Sequence, residues 1–119
     1  MMPAGKYWIG DLCYVMHDEW DEVCNFIDSE GEFVLKSGVK YAIYSTQFGD
    51  GEYPSTTGRY LGVDSGTIGC ILVSGIDQTN QNNDIYSGAV VDFDAPFDTE
   101  NFAGTIVFGH VQVFTGDEE

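Results

Sequence analysis

Turn-forming residues interrupt this chain so often that no long regular element fits between them. Fifteen glycines are spread over 119 residues, and glycine beside aspartate or serine supplies the backbone conformations of tight turns. Ser37-Gly38 and Asp64-Ser65-Gly66 are of this kind. The apolar segments between the turns are short, which is typical of β-strands. We therefore expect an α+β fold that is mostly β, an antiparallel β-sandwich or small barrel with one amphipathic helix.

The predicted strands follow the apolar segments. Alternation along 39–48 predicts a strand with one buried face, whereas the nearly continuous apolar run at 67–74 predicts a strand covered on both faces. The complete set is a hairpin within 7–16 and strands at 33–36, 39–48, 59–63, 67–74, 89–93, 102–108 and 110–114. We expect the whole chain, 1–119, to be a single acidic domain with a frayed acidic tail at 116–119.

One amphipathic helix is predicted over about residues 18–28. Trp20, Val23, Cys24 and Ile27 recur at i, i+3, i+4 and i+7, so they form one apolar stripe. Asp18 is suited to cap the amino end of this helix. The acidic residues that follow it in the first turn favour the positive end of the helix dipole.

The charge balance excludes two classes of partner. The chain has 4 basic and 20 acidic residues and a net charge of −16. Because lysine and arginine are so scarce, we expect no direct binding to nucleic acid or to an anionic membrane. Hydrophobic residues still make up 43% of the chain, which is enough for a core and too many for a disordered acidic segment.

The cysteines and the hydropathy pattern favour a cytoplasmic location. The three cysteines are an odd number without a Cys-x-x-Cys pair or the Cys/His spacing of a zinc site. Free buried thiols in a reducing compartment fit this pattern. We find neither the apolar stretch of a signal peptide nor a run long enough for a membrane helix. No cofactor is expected.

Acidic residues are concentrated in two regions that favour a basic protein partner. The first region supplies the candidate partner-binding residues Asp18, Asp21, Glu22, Asp28, Glu30 and Glu32. The second region contains Asp92, Asp94, Asp98 and Glu100. Such surfaces attract basic proteins and are able to imitate nucleic acid. A surface that only keeps the protein soluble would have the same composition.

The glycine-rich segment Gly49–Gly66 is an alternative site. Its candidate ligand or metal residues are Asp50, Glu52, Asp64, Tyr53 and Arg59. Hard cations prefer carboxylate oxygens, and glycines allow a ligand to approach the backbone. The segment matches neither a calcium-binding loop nor a phosphate-binding loop. Tight turns between strands explain the same residues.

No catalytic residue is assigned, and a non-enzymatic protein is favoured. Nothing around His17, His110 or the cysteines matches a nucleophile motif, which leaves a cysteine–histidine pair brought together by folding as the alternative. Alternation predicts that His110 is half-buried within a strand. Asp92 and Asp94 flank Phe93, so alternation places both carboxylates on the face opposite Phe93, in solvent.

Three segments resemble a group of small uncharacterised proteins of bacteriophages and bacteria. The segments are Gly5-Lys6-Tyr7-Trp8-Ile9-Gly10-Asp11-Leu12-Cys13-Tyr14-Val15, Asp18-Glu19-Trp20-Asp21, and the region from Phe48-Gly49-Asp50-Gly51-Glu52-Tyr53 to Val63-Asp64-Ser65-Gly66-Thr67-Ile68-Gly69. Members of the group open with a segment similar to GKYYIGDPCYV, in which proline stands where this chain has Leu12. The likeness covers roughly residues 5–70. It implies a phage context and no catalytic residue.

These observations lead to one functional hypothesis and two alternatives. The hypothesis is a non-enzymatic, phage-type acidic protein that blocks a basic host protein, such as a defence factor or a nucleic-acid-handling protein. The first alternative is a module that binds or sequesters a small molecule or metal ion through Gly49–Gly66. The second is a structural or assembly component of a virion. The sequence leaves the oligomeric state open.

Overall fold

The computed structural model describes residues 2–12, 31–35, 38–46, 49–58, 60–63, 66–75, 88–102 and 104–115. The predicted helix over 18–28 and the acidic tail 116–119 lie outside the described residues. Within the described ranges, no helix is long and apolar enough to cross a membrane. The regular elements of these ranges are ten β-strands and a short 3-10 helix at Val73–Gly75.

The strands are short, as the spacing of the turns predicts. They are β1 (Gly5–Gly10), β2 (Gly31–Val34), β3 (Lys40–Ser45), β4 (Gly51–Pro54), β5 (Tyr60–Val63), β6 (Thr67–Leu72), β7 (Ala89–Phe93), β8 (Thr99–Phe102), β9 (Thr105–Phe108) and β10 (Val111–Phe114). Every pair of strands in the described sheets is antiparallel. The prediction of a mostly β, antiparallel fold is therefore confirmed.

Five strands form one sheet in the order β2-β3-β6-β1-β7. In the register of the central strand β6, Cys70 pairs with Ile9 of β1 on one side and with Ala42 of β3 on the other. The run Thr67–Ile71 is buried throughout, which confirms that both faces of this segment are covered. β2 and β7 are the outer strands, so this sheet does not close on itself within the described residues.

The other five strands form a hairpin and a meander that meet edge to edge. β4 pairs with β5, and β10, β9 and β8 make a three-stranded sheet in that order. Ser55, just after β4, forms a β-bridge with Val113 of β10. The Thr56 amide donates to the Gln112 carbonyl at 2.9 Å, and the Gln112 amide donates to the Thr56 hydroxyl oxygen at 3.0 Å. These bonds continue the hairpin into the meander.

A large hydrophobic cluster includes side chains from all three sheets. The five-stranded sheet contributes Tyr7, Ile9, Ala42, Tyr44, Ile68, Cys70, Ala89 and Phe93, and the hairpin and meander contribute Tyr53, Leu61, Val63, Ile106, Phe108, Val111 and Val113. Within this cluster the Tyr7 ring makes edge contacts with Phe93 and Phe97, at centroid distances of 5.6 and 5.0 Å. Burial of this apolar surface is the main term that holds the sheets together.

The opposite face of the five-stranded sheet carries a second cluster. Its buried members are Trp8, Leu12, Leu35, Tyr41, Ile43 and Ile71. Trp8 is 1% exposed, and its ring fills space that two glycines leave open. A β-carbon at Gly10 would lie 2.7 Å from the ring, and one at Gly88 would lie 2.5 Å from it. Among the described residues, Trp8 Nε1 has no hydrogen-bond partner.

Four local features differ from the sequence expectation. Alternation predicts one buried face for the strand at 39–48, but β3 is buried on both faces, because each face packs in a different hydrophobic cluster. The single strand predicted at 102–108 is instead the hairpin of β8 and β9, because Gly104 adopts a positive φ of 98° that suits a tight turn. Residues 51–54 form a strand rather than only turns, because Tyr53 is buried in the large cluster. The prediction of a half-buried strand histidine is wrong, since His110 is exposed in the turn before β10.

Candidate functional site

Most carboxylates of the described residues face solvent. Eight acidic residues fall within these ranges, of which Asp11 is buried and Glu32 is partly buried. The other six are exposed: Asp50, Glu52, Asp92, Asp94, Asp98 and Glu100. The lysines of the same ranges are Lys6 and Lys40. The described surface is therefore strongly negative.

Glu32 is the described member of the first acidic region. The other five candidates of that region, Asp18, Asp21, Glu22, Asp28 and Glu30, lie outside the described residues. Glu32 Oε1 lies 3.2 Å from Lys40 Nζ, and Glu32 Oε2 accepts a hydrogen bond of 3.2 Å from the Thr99 hydroxyl. Burial opposes ionisation, but hydrogen bonds from positively charged donors, Lys40 among them, and from Thr99 lower the pKa of Glu32.

Residues 92–100 form a second acidic region, here called the acidic segment. It runs from the end of β7 into β8. Phe93 and Phe97 of this segment are buried, and their rings stack with centroids 3.9 Å apart. The neighbouring side chains Asp92, Asp94, Asp98 and Glu100 are exposed, while these two rings are buried. The prediction that Asp92 and Asp94 face solvent while Phe93 is buried is confirmed.

Lys6 lies across the sheet from the acidic segment. It is the register partner of Asp92 in the ladder between β1 and β7, and it is exposed. Opposite charges at facing positions attract each other modestly. One lysine does not balance the four carboxylates of the segment, so the potential there stays negative and attracts cationic groups.

The alternative site at Gly49–Gly66 is described only in part, because Arg59 and Asp64 lie outside the described residues. The Gly49 carbonyl accepts hydrogen bonds from the Thr46 hydroxyl at 2.7 Å and from the Tyr53 hydroxyl at 2.9 Å. Both bonds hold nearby residues of the chain to the Gly49 backbone, as in a structural turn. Asp50 and Glu52 are exposed. No group of three or more metal-ligating side chains occurs among the described residues. Ligand binding by this segment stays a prediction.

A cleft of about 410 Å³ lies beside the acidic segment. Three elements line it: β7, the turn after β4, and the turn that leads into β10. The lining residues are Thr56, Thr57, Val90, Val91, Asp92, His110 and Val111. Three of these residues are valines, and the other four are polar or charged.

The turn between β9 and β10 positions His110 at the cleft. The imidazole of His110 packs on the Phe93 ring with centroids 5.0 Å apart. The Gly109 amide donates to the Asp98 carbonyl at 2.9 Å, which holds this turn against the acidic segment. The sequence does not predict the cleft, because its walls are distant along the chain. The signal for the β7 wall is the alternation along 89–93, in which Val90 and Asp92 are exposed and Ala89 and Phe93 are buried.

The described cysteine is not an accessible nucleophile. Cys70 lies in the central strand and has no exposed surface, and burial raises the pKa of its thiol. Burial likewise raises the pKa of Tyr7 to about 12. Of the cysteine–histidine pairs that the sequence leaves open, those with Cys70 lack an accessible thiol, and Cys13, Cys24 and His17 lie outside the described residues.

No protein-family model matches this chain, and no curated protein or solved structure is significantly similar to it. The likeness of residues 5–70 to the phage group stays a prediction from the sequence.

Proposed function

We propose that this chain is a non-enzymatic, phage-type binding protein whose acidic surface blocks a basic host protein in the cytoplasm. The observation that carries the proposal is the acidic segment, in which two buried aromatic rings hold a backbone that exposes four carboxylates. A backbone that is already ordered loses little entropy on binding. Host defence factors and nucleic-acid-handling proteins that bind phosphates present the complementary basic surface.

The architecture that we propose is a two-layer antiparallel β-sandwich. One layer is the five-stranded sheet, and the other is the hairpin joined to the meander through Ser55 and Val113. The shared hydrophobic cluster supports this arrangement. The acidic segment then passes from β7 of one layer to β8 of the other, so its carboxylates lie where the chain crosses between layers.

The test compares two neutralised variants that lose the same number of charges. Asp94→Asn with Asp98→Asn changes the acidic segment, whereas Asp50→Asn with Glu52→Gln changes the β4 hairpin. Each protein is immobilised and exposed to host lysate at low and high salt, and retained proteins are identified by mass spectrometry. We expect a basic protein that is retained by the wild type and by the hairpin variant, and is reduced with the acidic-segment variant.

A third variant addresses the first acidic region, with Asp18, Asp21, Glu22 and Asp28 reversed to lysine. High salt shortens the screening length from about 10 Å at 0.1 M to about 3 Å at 1 M, so an electrostatic complex must weaken steeply. Retention that is indifferent to salt and to all three variants contradicts the proposal. A rise in melting temperature with a metal ion or nucleotide, lost on changing Asp50 and Glu52, would instead favour the small-ligand alternative.

A further inference from the structure

The cleft runs along the outer edge of a β-strand. Its lining includes Val90, Val91 and Asp92, which are consecutive residues of β7. Successive side chains of a strand point to opposite faces of the sheet, so a lining that includes all three fits the strand's edge better than either face. In the described sheet order, β7 is the terminal strand and pairs only with β1. Its other edge therefore presents backbone amides and carbonyls to the cleft.

The two faces of this edge differ in chemistry. Val90 and Asp92 are exposed on the face that also carries Lys6. Val91 points the other way and packs against the large hydrophobic cluster. On that side the opposite wall is formed by Thr56, Thr57, His110 and Val111. A strand placed along β7 would meet the Asp92 carboxylate on one face, and valine, threonine and histidine side chains on the other.

The negative charge of the protein favours a cationic strand over a second copy of this chain at the β7 edge. A second copy would bring another net charge of −16 and another Asp92 to the pairing edge, and like charges at facing positions destabilise a strand pair. A cationic strand is attracted by the same field. Pairing between chains through backbone hydrogen bonds is an established mode of peptide recognition.

We propose that β7 accepts an extended segment of the basic partner as an additional strand, with basic side chains towards Asp92 and apolar side chains towards Val91 and Val111. This inference rests on the proposed function and names the part of the partner that is recognised. The cleft beside β7 gives the added strand its space. Backbone hydrogen bonds supply the pairing, and Asp92 favours segments in which basic and apolar residues alternate.

The experiment uses the full chain, labelled with ¹⁵N, and a blocked hexapeptide that alternates lysine and valine. The expected result is saturable shifts of amide signals in Ala89–Phe93 and in the turn at His110 and Val111. A second peptide with the same sequence carries N-methyl groups on alternate residues along one edge, and a third carries them along the other edge. All three have the same charge, but one methylated peptide lacks the amides that would pair with β7. That peptide should bind at least about tenfold more weakly, because several hydrogen bonds are lost.

Matched variants test the contribution of the carboxylate. Asp92→Asn should weaken binding of the unmodified peptide by about two- to fivefold, as expected for an exposed ion pair. Asp50→Asn makes the same chemical change just before β4, whereas the cleft residue Thr56 follows β4. This variant should bind the peptide with unchanged affinity. A basic but non-alternating control, a glycine–lysine hexapeptide, should bind more weakly because it lacks apolar side chains.

Several outcomes would overturn the inference. Equal affinity of all three valine-containing peptides would show that backbone hydrogen bonds do not contribute to binding and that the cleft recognises side chains alone. Amide shifts confined to other strands would show that the peptide binds elsewhere. A dimer in light scattering that the peptide dissociates would make a second copy the occupant. If the hexapeptide fails at β7 while a basic host protein is still retained through the acidic segment, the strand-addition inference fails and the proposed function stands.

Discussion

The hydroxyl oxygen of Tyr44 lies 2.7 Å from the hydroxyl oxygen of Thr99, and this contact joins β3 of the five-stranded sheet to β8 of the meander. The Thr99 hydroxyl donates its only proton to Glu32. The Tyr44 hydroxyl must therefore be the donor to Thr99. Asn101 of β8 adds a second link, since its side-chain amide donates to the Ser45 carbonyl at 3.0 Å. Polar bonds thus connect the five-stranded sheet to the meander at β8, whereas a cleft lies beside β7.

Removing the donor of this contact should destabilise the protein. We expect Tyr44→Phe to lower the free energy of unfolding by about 1 kcal/mol, the usual net value of a partly buried hydrogen bond. Urea denaturation followed by circular dichroism measures it. Tyr60→Phe is the control, because Tyr60 is 66% exposed, and it should change stability by less than about 0.5 kcal/mol. Equal effects of the two substitutions would contradict the role of the Thr99 contact.

The contacts of Glu32 predict a pH dependence of stability. The folded protein lowers the pKa of Glu32 below its ordinary value of 4.5. The contribution of ionised Glu32 to the free energy of unfolding is therefore fully present above the unfolded pKa. It is lost as pH falls from about 4.5 through the folded pKa. The stability difference between wild type and Glu32→Gln should be largest at neutral pH and should shrink below pH 4.5. A stability difference that does not shrink below pH 4.5 would contradict this role of the Glu32 contacts.

Gly69 is a position where any side chain should be costly. A β-carbon there would lie 2.1 Å from the Ala42 carbonyl oxygen and 2.8 Å from a methyl carbon of Leu12. We expect Gly69→Ala to cost more than about 2 kcal/mol of unfolding free energy. A β-carbon at Gly58 would have no non-neighbouring atom of the described residues within 4 Å, but φ there is +87°. Gly58→Ala should therefore cost only the backbone strain of about 1 kcal/mol. Urea midpoints of both variants decide this, and similar losses would contradict the packing argument.

Burial of Cys70 should make its thiol inert in the folded protein. Cys13→Ser and Cys24→Ser leave Cys70 as the single thiol of the chain. The thiolate is the reactive form, and burial raises the pKa of this thiol. We expect a thiol reagent at pH 8 to modify the native protein more than about 100-fold more slowly than the urea-unfolded chain, because access requires local opening. Equal rates would show that β6 is accessible in the native state.

Local sequence patterns were sufficient to predict most of the strands. The apolar run at 67–74 predicts the strand that is covered on both faces, and β7 coincides with its predicted range of 89–93. β4 was missed because its stabilisation depends on where Tyr53 packs, and that contact is long-range. The hairpin of β8 and β9 was missed because one turn residue, Gly104, interrupts a continuous apolar pattern. Sheet order was beyond the sequence because it depends on contacts between distant strands.

The candidate site was harder to predict than the strands. Alternation correctly placed Asp92 in solvent, since that depends on neighbouring residues alone. The cleft was not predicted, because it needs β7, the turn after β4 and His110 to meet in space. The contacts of Glu32 with Lys40 and Thr99 also join separate strands. A charge count identifies an acidic residue but does not show which carboxylates are already paired.

The packing of Trp8 between Gly10 and Gly88 constrains how this protein is able to evolve. A β-carbon at either glycine would meet the indole ring at less than 3 Å. At Gly88 a β-carbon would also lie 2.4 Å from the Ile9 carbonyl oxygen, so this position should stay glycine even in a relative whose tryptophan is replaced. At Gly10 the only contact below 3 Å is with the ring, so a relative with a larger residue there must carry a smaller residue in place of Trp8. Positions 8 and 10 should therefore covary across descendants of this sequence, whereas position 88 should not vary.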